Sequence, residues 1–398
     1  MTDLETRVAP SHAGALRRAA PALAGYAAVR ALGLLALFLW SAARDKSAYT
    51  LLTARWDALW YVRVAELGYG YEVRLANGDV HSNLAFFPLL PWLERLVAAV
   101  SPLSHADGGF LVSLCASLAA AWGVFAVADH VYGRRAGVCA VLLWAVLPVG
   151  IVQSMAYSES LFTALAAWSL YAVLTGRWVT AGALALSAGL TRPVGLAVVA
   201  AVWVAAVASF VWDRGAAQPS GAQSSPRAGA PGTRARRFLG MFLAPLGAAG
   251  YVLWVGHHTG RGPLGYLDVQ AGWRNGFDGG YAFGRFVVEK FTSFPSALAG
   301  VGLVLGVASV VWLYVTGVRQ RQPLPLLVYT GIVTALALCA SSYFGSKPRL
   351  LMPAFPLLLP LALALAKTRT RRSAAILGAM GVASAVYGAF WLNGTGPP

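Results

Sequence analysis

Asp57 stands apart in this sequence for the residues around it. It lies in RWDALWYVRVAELGYGYE, residues 55–72, a polar and aromatic stretch between long apolar runs. At about 100° per residue, Trp56, Trp60, Arg63 and Leu67 fall on one helical stripe and Asp57, Tyr61 and Val64 on the next. Glu66 lies nine positions beyond Asp57, on the opposite side, so the two carboxylates do not pair on this helix. A lone carboxylate among aromatic rings is partly desolvated, which suits a general base. The rings of Trp56, Trp60 and Tyr61 suit stacking on sugar faces. The plainer reading of the same residues is an interfacial aromatic belt with a helix-capping aspartate.

Three short motifs place further charges at the ends of apolar runs. MAYSESLF, 155–162, carries Glu159; GLTRPVGL, 189–196, carries Arg192; FGSKPRLLMPAFPLLLPL, 344–361, carries Lys347 and Arg349. Taken singly, each cation reads as a snorkelling side chain beside a proline break. Taken together, Arg192, Lys347 and Arg349 form a site for an anionic headgroup, with Arg349 ahead of Lys347 because a guanidinium binds phosphate with two parallel donors. Glu159 either orients an arginine or a hydroxyl or is a polar helix end. His81 lies in the same loop as Asp57, where it could assist.

The elements that must position these groups are membrane helices. The chain has 398 residues, 58% apolar and only 12% charged, against about 25% charged in soluble domains; its mean hydropathy is +0.62. Eleven apolar segments fall near 22–43, 109–131, 136–154, 160–175, 178–191, 194–212, 238–257, 297–316, 324–341, 351–366 and 373–391, of the order of the ~20 residues that cross hydrocarbon. A β-barrel would alternate over about ten residues instead. Arg17 and Arg18 before the first run resemble a signal peptide, but the run continues long enough for an uncleaved first span. The segment 85–103 holds Pro88, Pro91, Glu94 and Arg95, which a lipid-facing helix tolerates badly, and is expected to lie in the interface or to re-enter.

With 85–103 outside the count and the N-terminus inside, the basic loops Arg134–Arg135, Arg177, 213–237, Arg319–Arg321 and 367–372 all fall on one side, as retention of Lys and Arg in the cytoplasm requires. This reading places residues 1–21 in the cytoplasm and 22–212 in a first transmembrane module with an extracytoplasmic loop at 44–108. Residues 213–237 form a disordered cytoplasmic linker, and 238–398 a second module with an extracytoplasmic loop at 258–296 and the C-terminus outside. Eleven of the fifteen acidic residues then face outward.

The net charge of +16 is explained by those loops rather than by nucleic acid. Cys115, Cys139 and Cys339 lie in apolar runs without metal-ligand spacing, so neither disulfide nor zinc is expected. No phosphate-binding glycine motif appears, so an enzyme site is expected outside, with a lipid-linked or exported substrate.

In order, RWDALWYVRVAELGYGYE, AFFPLLPWLERL, YSESLF, LTRPVGL and KPRLLMPAFPLLLPLA resemble the bacterial PIG-V-like relatives of the second mannosyltransferase of GPI-anchor synthesis, within the GT-C class of membrane glycosyltransferases. The resemblance runs from about Arg30 to Leu365. It implies an all-α GT-C bundle and a polyprenyl-phosphate-sugar donor, most often mannose. It further implies transfer outside the cell membrane with inversion, and a glycolipid, glycan or exported-protein acceptor. The acidic residue beside the donor in the first outer loop corresponds to Asp57. The first loop lacks a DxD signature, so no metal or other cofactor is implied. The competing class is a lipid or glycolipid transporter, which would carry charges along a midplane path.

Overall fold

The computed structural model describes residues 12–216, 231–341 and 343–396. Helix α1, His12–Ala42, is followed by short α2, Ala48–Thr53, and by α3, Asp57–Leu67. A hairpin of β1, Glu72–Arg74, and β2, Val80–Ser82, pairs Val73 with His81. Next come α4, Leu89–Val100, α5, His105–Tyr132, α6, Arg134–Ala145, α7, Ser158–Leu174, α8, Trp178–Gly189, and α9, Leu196–Ala216. The remainder comprises α10, Pro231–Leu243, α11, Leu246–His258, α12, Gly265–Gly272, α13, Tyr281–Glu289, α14, Ser296–Arg319, α15, Leu324–Cys339, α16, Lys347–Leu351, α17, Leu359–Lys367, and α18, Thr370–Leu392.

The chain is an all-α, multi-pass membrane protein. Among the described residues, six helices are long and apolar enough to cross a membrane: α1, α5, α9 with its leading turn, α10–α11 together, α14 and α18. The pair formed by 344–351 and 355–367 makes a seventh if the two halves, bent by 75°, count as one broken span. The eleven expected segments all carry helix, but 136–154, 160–175, 178–191, 324–341 and 351–366 are shorter or interrupted. Prolines are the physical reason at several of them. Pro148 follows α6, Pro193 follows α8, and Pro348, Pro353 and Pro356 punctuate 344–358, each removing a backbone donor.

Residues 85–103 contribute only the 12-residue α4, about 18 Å long at 1.5 Å per residue, well under the ~30 Å of hydrocarbon. It packs against α5 and α3, and Arg95 donates from Nη2 to Val64 O at 3.3 Å and from Nε to Ala65 O, closing the C-terminal end of α3. Of the linker expected at 213–237, residues 217–230 lie outside the described residues; on either side α9 runs through to Ala216 and α10 starts at Pro231, with Asp213 and Arg237 paired at 2.5 Å between them.

Helix α5 sits centrally and α14 peripherally: half of the apolar span of α5 is buried, against 6% of that of α14. Small residues permit the central packing. A Cβ on Gly123 would press into Ala167 of α7, and one on Gly109 would strike the buried carboxyl of Glu94.

Broken helices leave carbonyls that hydrocarbon cannot satisfy, and here buried side chains supply the donors. Arg30 of α1 donates to Ala145 O and Gly150 O across the break after α6. Gln153 Nε2 donates to Trp144 O at 2.8 Å. Trp144 Nε1 and Tyr329 Oη donate to Met352 O and Pro353 O at 3.1 and 2.9 Å, across the break between α16 and α17. Arg30 reads from the sequence as a side chain snorkelling towards the inner surface; the structure buries it at 7% exposure on these carbonyls instead.

Candidate functional site

Three helix breaks bring the charged motifs together. Glu159 is in the first turn of α7, after the break at 146–157; Arg192 precedes the turn 193–195 between α8 and α9; Arg349 lies in α16, before the break into α17. The fourth member, Asp57, opens α3. Arg349 Nη1 donates to Asp57 Oδ2 at 2.7 Å, and its Nε lies 3.3 Å from Glu159 Oε1. Arg192 Nη1 lies 2.5 Å from the same Glu159 oxygen and donates to Ser158 Oγ at 3.2 Å. The result is a chain of alternating charge: Asp57, Arg349, Glu159, Arg192.

The four groups differ in access. The Glu159 side chain is 1% exposed, Arg349 9%, Arg192 14% and Asp57 27%. Asp57 is therefore the carboxylate that a substrate hydroxyl can reach. The isolated carboxylate expected from the sequence is instead ion-paired, because Arg349, 292 positions away, folds over it. Two carboxylates against two guanidiniums leave the cluster neutral, as burial of charge demands. Each guanidinium still keeps donors: among the described residues, Arg349 Nη2 and Arg192 Nε and Nη2 have no hydrogen-bond partner. The Arg349 guanidinium also sits 5.1 Å from the centre of the buried Tyr157 ring.

Asp57 is held by the residues before it. Trp56 caps α3 with φ +50°, a left-handed conformation that costs a bulky residue about 1–3 kcal/mol. Its ring lies 3.9 Å from the Arg55 guanidinium, whose Nη1 donates to Leu392 O at 3.2 Å, so the entry to α3 is tied to the C-terminal end of α18. Tyr61, one turn on, is buried and its hydroxyl lies 2.7 Å from Ser158 Oγ. Burial pushes its phenol well above the usual tyrosine range, so it stays protonated. Ser158 thus joins Tyr61 to Arg192. The sequence reading passed over this serine, although it sits inside the quoted YSES.

Other expected residues lie elsewhere. Lys347 is 3% exposed, and its Nζ donates to Ala337 O at 2.9 Å, Leu338 O at 3.4 Å and Ala340 O at 2.8 Å. Its three donors cap the C-terminal end of α15, and none is left for a phosphate. Trp60 stacks on Phe86 at 5.7 Å and meets Trp273 edge-on at 4.9 Å, so Phe86 covers one of its faces. His81 stacks on Trp273 at 4.0 Å, and desolvation lowers its pKa, which keeps the ring neutral. His81 and Trp273 help to line a cavity of about 660 Å³, with Asn77, Asp79, Arg274 and Tyr343 around it. Asp79 there pairs with Arg274 at 2.6 Å. Among the described residues, no group of three or more His, Cys, Asp or Glu side chains is placed to hold a metal ion.

Neither a protein-family model nor a curated protein matches the sequence. Solved structures do resemble the fold. ArnT from Cupriavidus metallidurans bound to undecaprenyl phosphate superposes with a TM-score of 0.52 at 16% identity, over 88% of this chain and 61% of that one. The archaeal oligosaccharyltransferase AglB from Archaeoglobus fulgidus, in complex with an inhibitory peptide and a dolichol-phosphate, gives 0.47 at 11% identity, over 94% and 56%. The chain spans less than two thirds of the length of either. The likeness to ArnT is one of fold alone, in the arrangement of the helices.

Proposed function

We propose that this protein is a glycosyltransferase that uses a polyprenyl-phosphate-linked sugar and acts on the extracytoplasmic side of the membrane, inverting the anomeric carbon. The observation that carries the reading is the chain Asp57–Arg349–Glu159–Arg192, in which a reachable carboxylate stands beside two guanidiniums with free donors. The GT-C type of fold supports it, because the ArnT structure holds undecaprenyl phosphate. The resemblance of the motifs to PIG-V-like enzymes supports mannose as the sugar.

In this mechanism, Asp57 takes the proton of an acceptor hydroxyl as its oxygen attacks C1 of the sugar. The bond from C1 to the phosphate oxygen breaks, and the polyprenyl phosphate leaves with the electron pair. Charge grows on the phosphate and meets the free donors of Arg349 and Arg192, which are fixed in place by Glu159. Tyr61 and Ser158 hold Arg192 in register. The acceptor approaches over Trp60 from the cavity lined by His81 and Trp273, one aromatic ring away. Lys347 steadies α15 and binds no phosphate.

The test is direct. Purified protein in detergent, supplied with polyprenyl-phosphate mannose and extracted membrane acceptors, is expected to release polyprenyl phosphate, and Asp57→Asn to stop release while donor binding persists. Full turnover in that variant removes Asp57 from the chemistry. Activity seen only as lipid flux across vesicles replaces the transferase with a transporter.

A further inference from the structure

A second cavity, of about 380 Å³, opens between α1, α6 and α18. Its walls are Val138 and Leu142 of α6 and Ala374 and Leu377 of α18, and its rim carries Arg134 and Arg135. It sits at the N-terminal end of α18, whereas the Arg55 contact that anchors the Asp57 site is at Leu392, the last residue of the same 23-residue helix. At 1.5 Å per residue the two ends are about 35 Å apart, so the cavity faces the opposite membrane surface and is distinct from the proposed donor site.

The rim is unbalanced. Arg135 donates from Nη2 to Thr370 Oγ1 at 3.3 Å and to Thr368 O, and Arg134 Nε donates to Arg18 O at 3.2 Å. These bonds brace both guanidiniums on neutral oxygens and leave other donors free. The nearby carboxylate of Asp129 is already held by Arg18 at 2.7 Å. Among the described residues, no ion pair involves Arg134, Arg135, Arg369, Arg371 or Arg372. The N-termini of α6 and α18 open at the same rim and add their partial positive charge. Beneath the rim, the spacing of four residues from Val138 to Leu142 and of three from Ala374 to Leu377 makes two apolar stripes facing one slot.

We propose that this cavity binds an anionic phospholipid, its phosphate on Arg134 and Arg135 and one acyl chain in the slot between α6 and α18. Both halves of the site are needed for that ligand: a zwitterionic lipid has the chain but no net charge, and a free phosphate has the charge but no chain. The proposal stands independently of the transferase reading.

The experiment uses the full-length protein in detergent, titrated with phosphatidylglycerol, phosphatidylcholine or inorganic phosphate, and read by native mass spectrometry and thermal unfolding. Phosphatidylglycerol is expected to remain bound at one molecule per chain and to raise the melting temperature, and the other two to do neither. Arg134→Gln combined with Arg135→Gln is expected to weaken phosphatidylglycerol binding about tenfold or more. Ala374→Phe keeps both arginines and plugs the slot from an exposed position, and is expected to lose the lipid as well. Equal retention of phosphatidylcholine, a shift reproduced by phosphate alone, or undiminished binding in Ala374→Phe overturns the proposal. The last outcome decides the matter even if the double variant fails to fold.

Discussion

The two ends of α18 hold arginines under opposite conditions. At the Leu392 end, Arg349 and Arg192 are withdrawn from water and share Glu159, and Arg349 also meets Asp57, so both of these guanidiniums have a carboxylate. At the Thr370 end, Arg134 and Arg135 are exposed and bonded to neutral oxygens. Burial explains the difference. A guanidinium withdrawn from water needs a carboxylate or, like Arg30, carbonyl acceptors within the chain, while one at the surface can wait for an anion from outside the chain. The first end holds charge in fixed positions, as the proposed reaction with its developing phosphate charge would require. The second is built to attract charge.

Changes that separate fixed from waiting charge break this contrast most clearly. Asp57→Asn is expected to lower turnover by about 10²–10⁴-fold with donor binding retained, measured as polyprenyl phosphate released per minute; a fall under tenfold would return Asp57 to a capping role. Glu159→Ala leaves two buried cations without their shared partner and is expected to cost about 3–5 kcal/mol of stability, seen as a large drop in melting temperature. Arg134→Ala in lipid-free detergent is expected to stay within about 0.5 kcal/mol of the parent; similar losses at both ends would erase the contrast. Lys347→Met uncaps α15 and is expected to destabilise by about 1–3 kcal/mol while leaving the KM for the donor unchanged. A KM raised as much as in Arg349→Met would put Lys347 back on the phosphate.

A pH-dependent effect is expected at Glu94, which is fully buried on α4 with neither carboxylate oxygen hydrogen-bonded among the described residues. Burial, and secondarily the Glu66 charge, push its carboxyl well above the usual range. The folded protein therefore holds this proton more tightly than the unfolded chain. The associated stability is fully present below the ordinary carboxylate range and is lost as pH rises through the raised value. Glu94→Gln is expected to melt above the parent at about pH 8 and close to it at about pH 4; a gap that does not widen with pH rules this out.

Composition and apolar run length determined that the chain is helical and multi-pass, because hydrocarbon admits few other backbones. Short motifs marked Asp57, Glu159, Arg192 and Arg349, since charge at the end of an apolar run is costly and stands out. How those charges pair was decided only by the tertiary structure: Asp57 meets Arg349 across 292 positions through the convergence of separate helix breaks, and nothing local encodes that meeting. The same limit applies to residues with two good local readings. Lys347 lies two positions from Arg349 in the same short motif, yet it turns to the carbonyls of α15 while Arg349 turns to Asp57. Arg30 looked free to reach water, yet it closes a helix break in the core. A cation inside an apolar run announces that it needs a partner, and only packing selects whether that partner is a carboxylate, a carbonyl or a lipid phosphate.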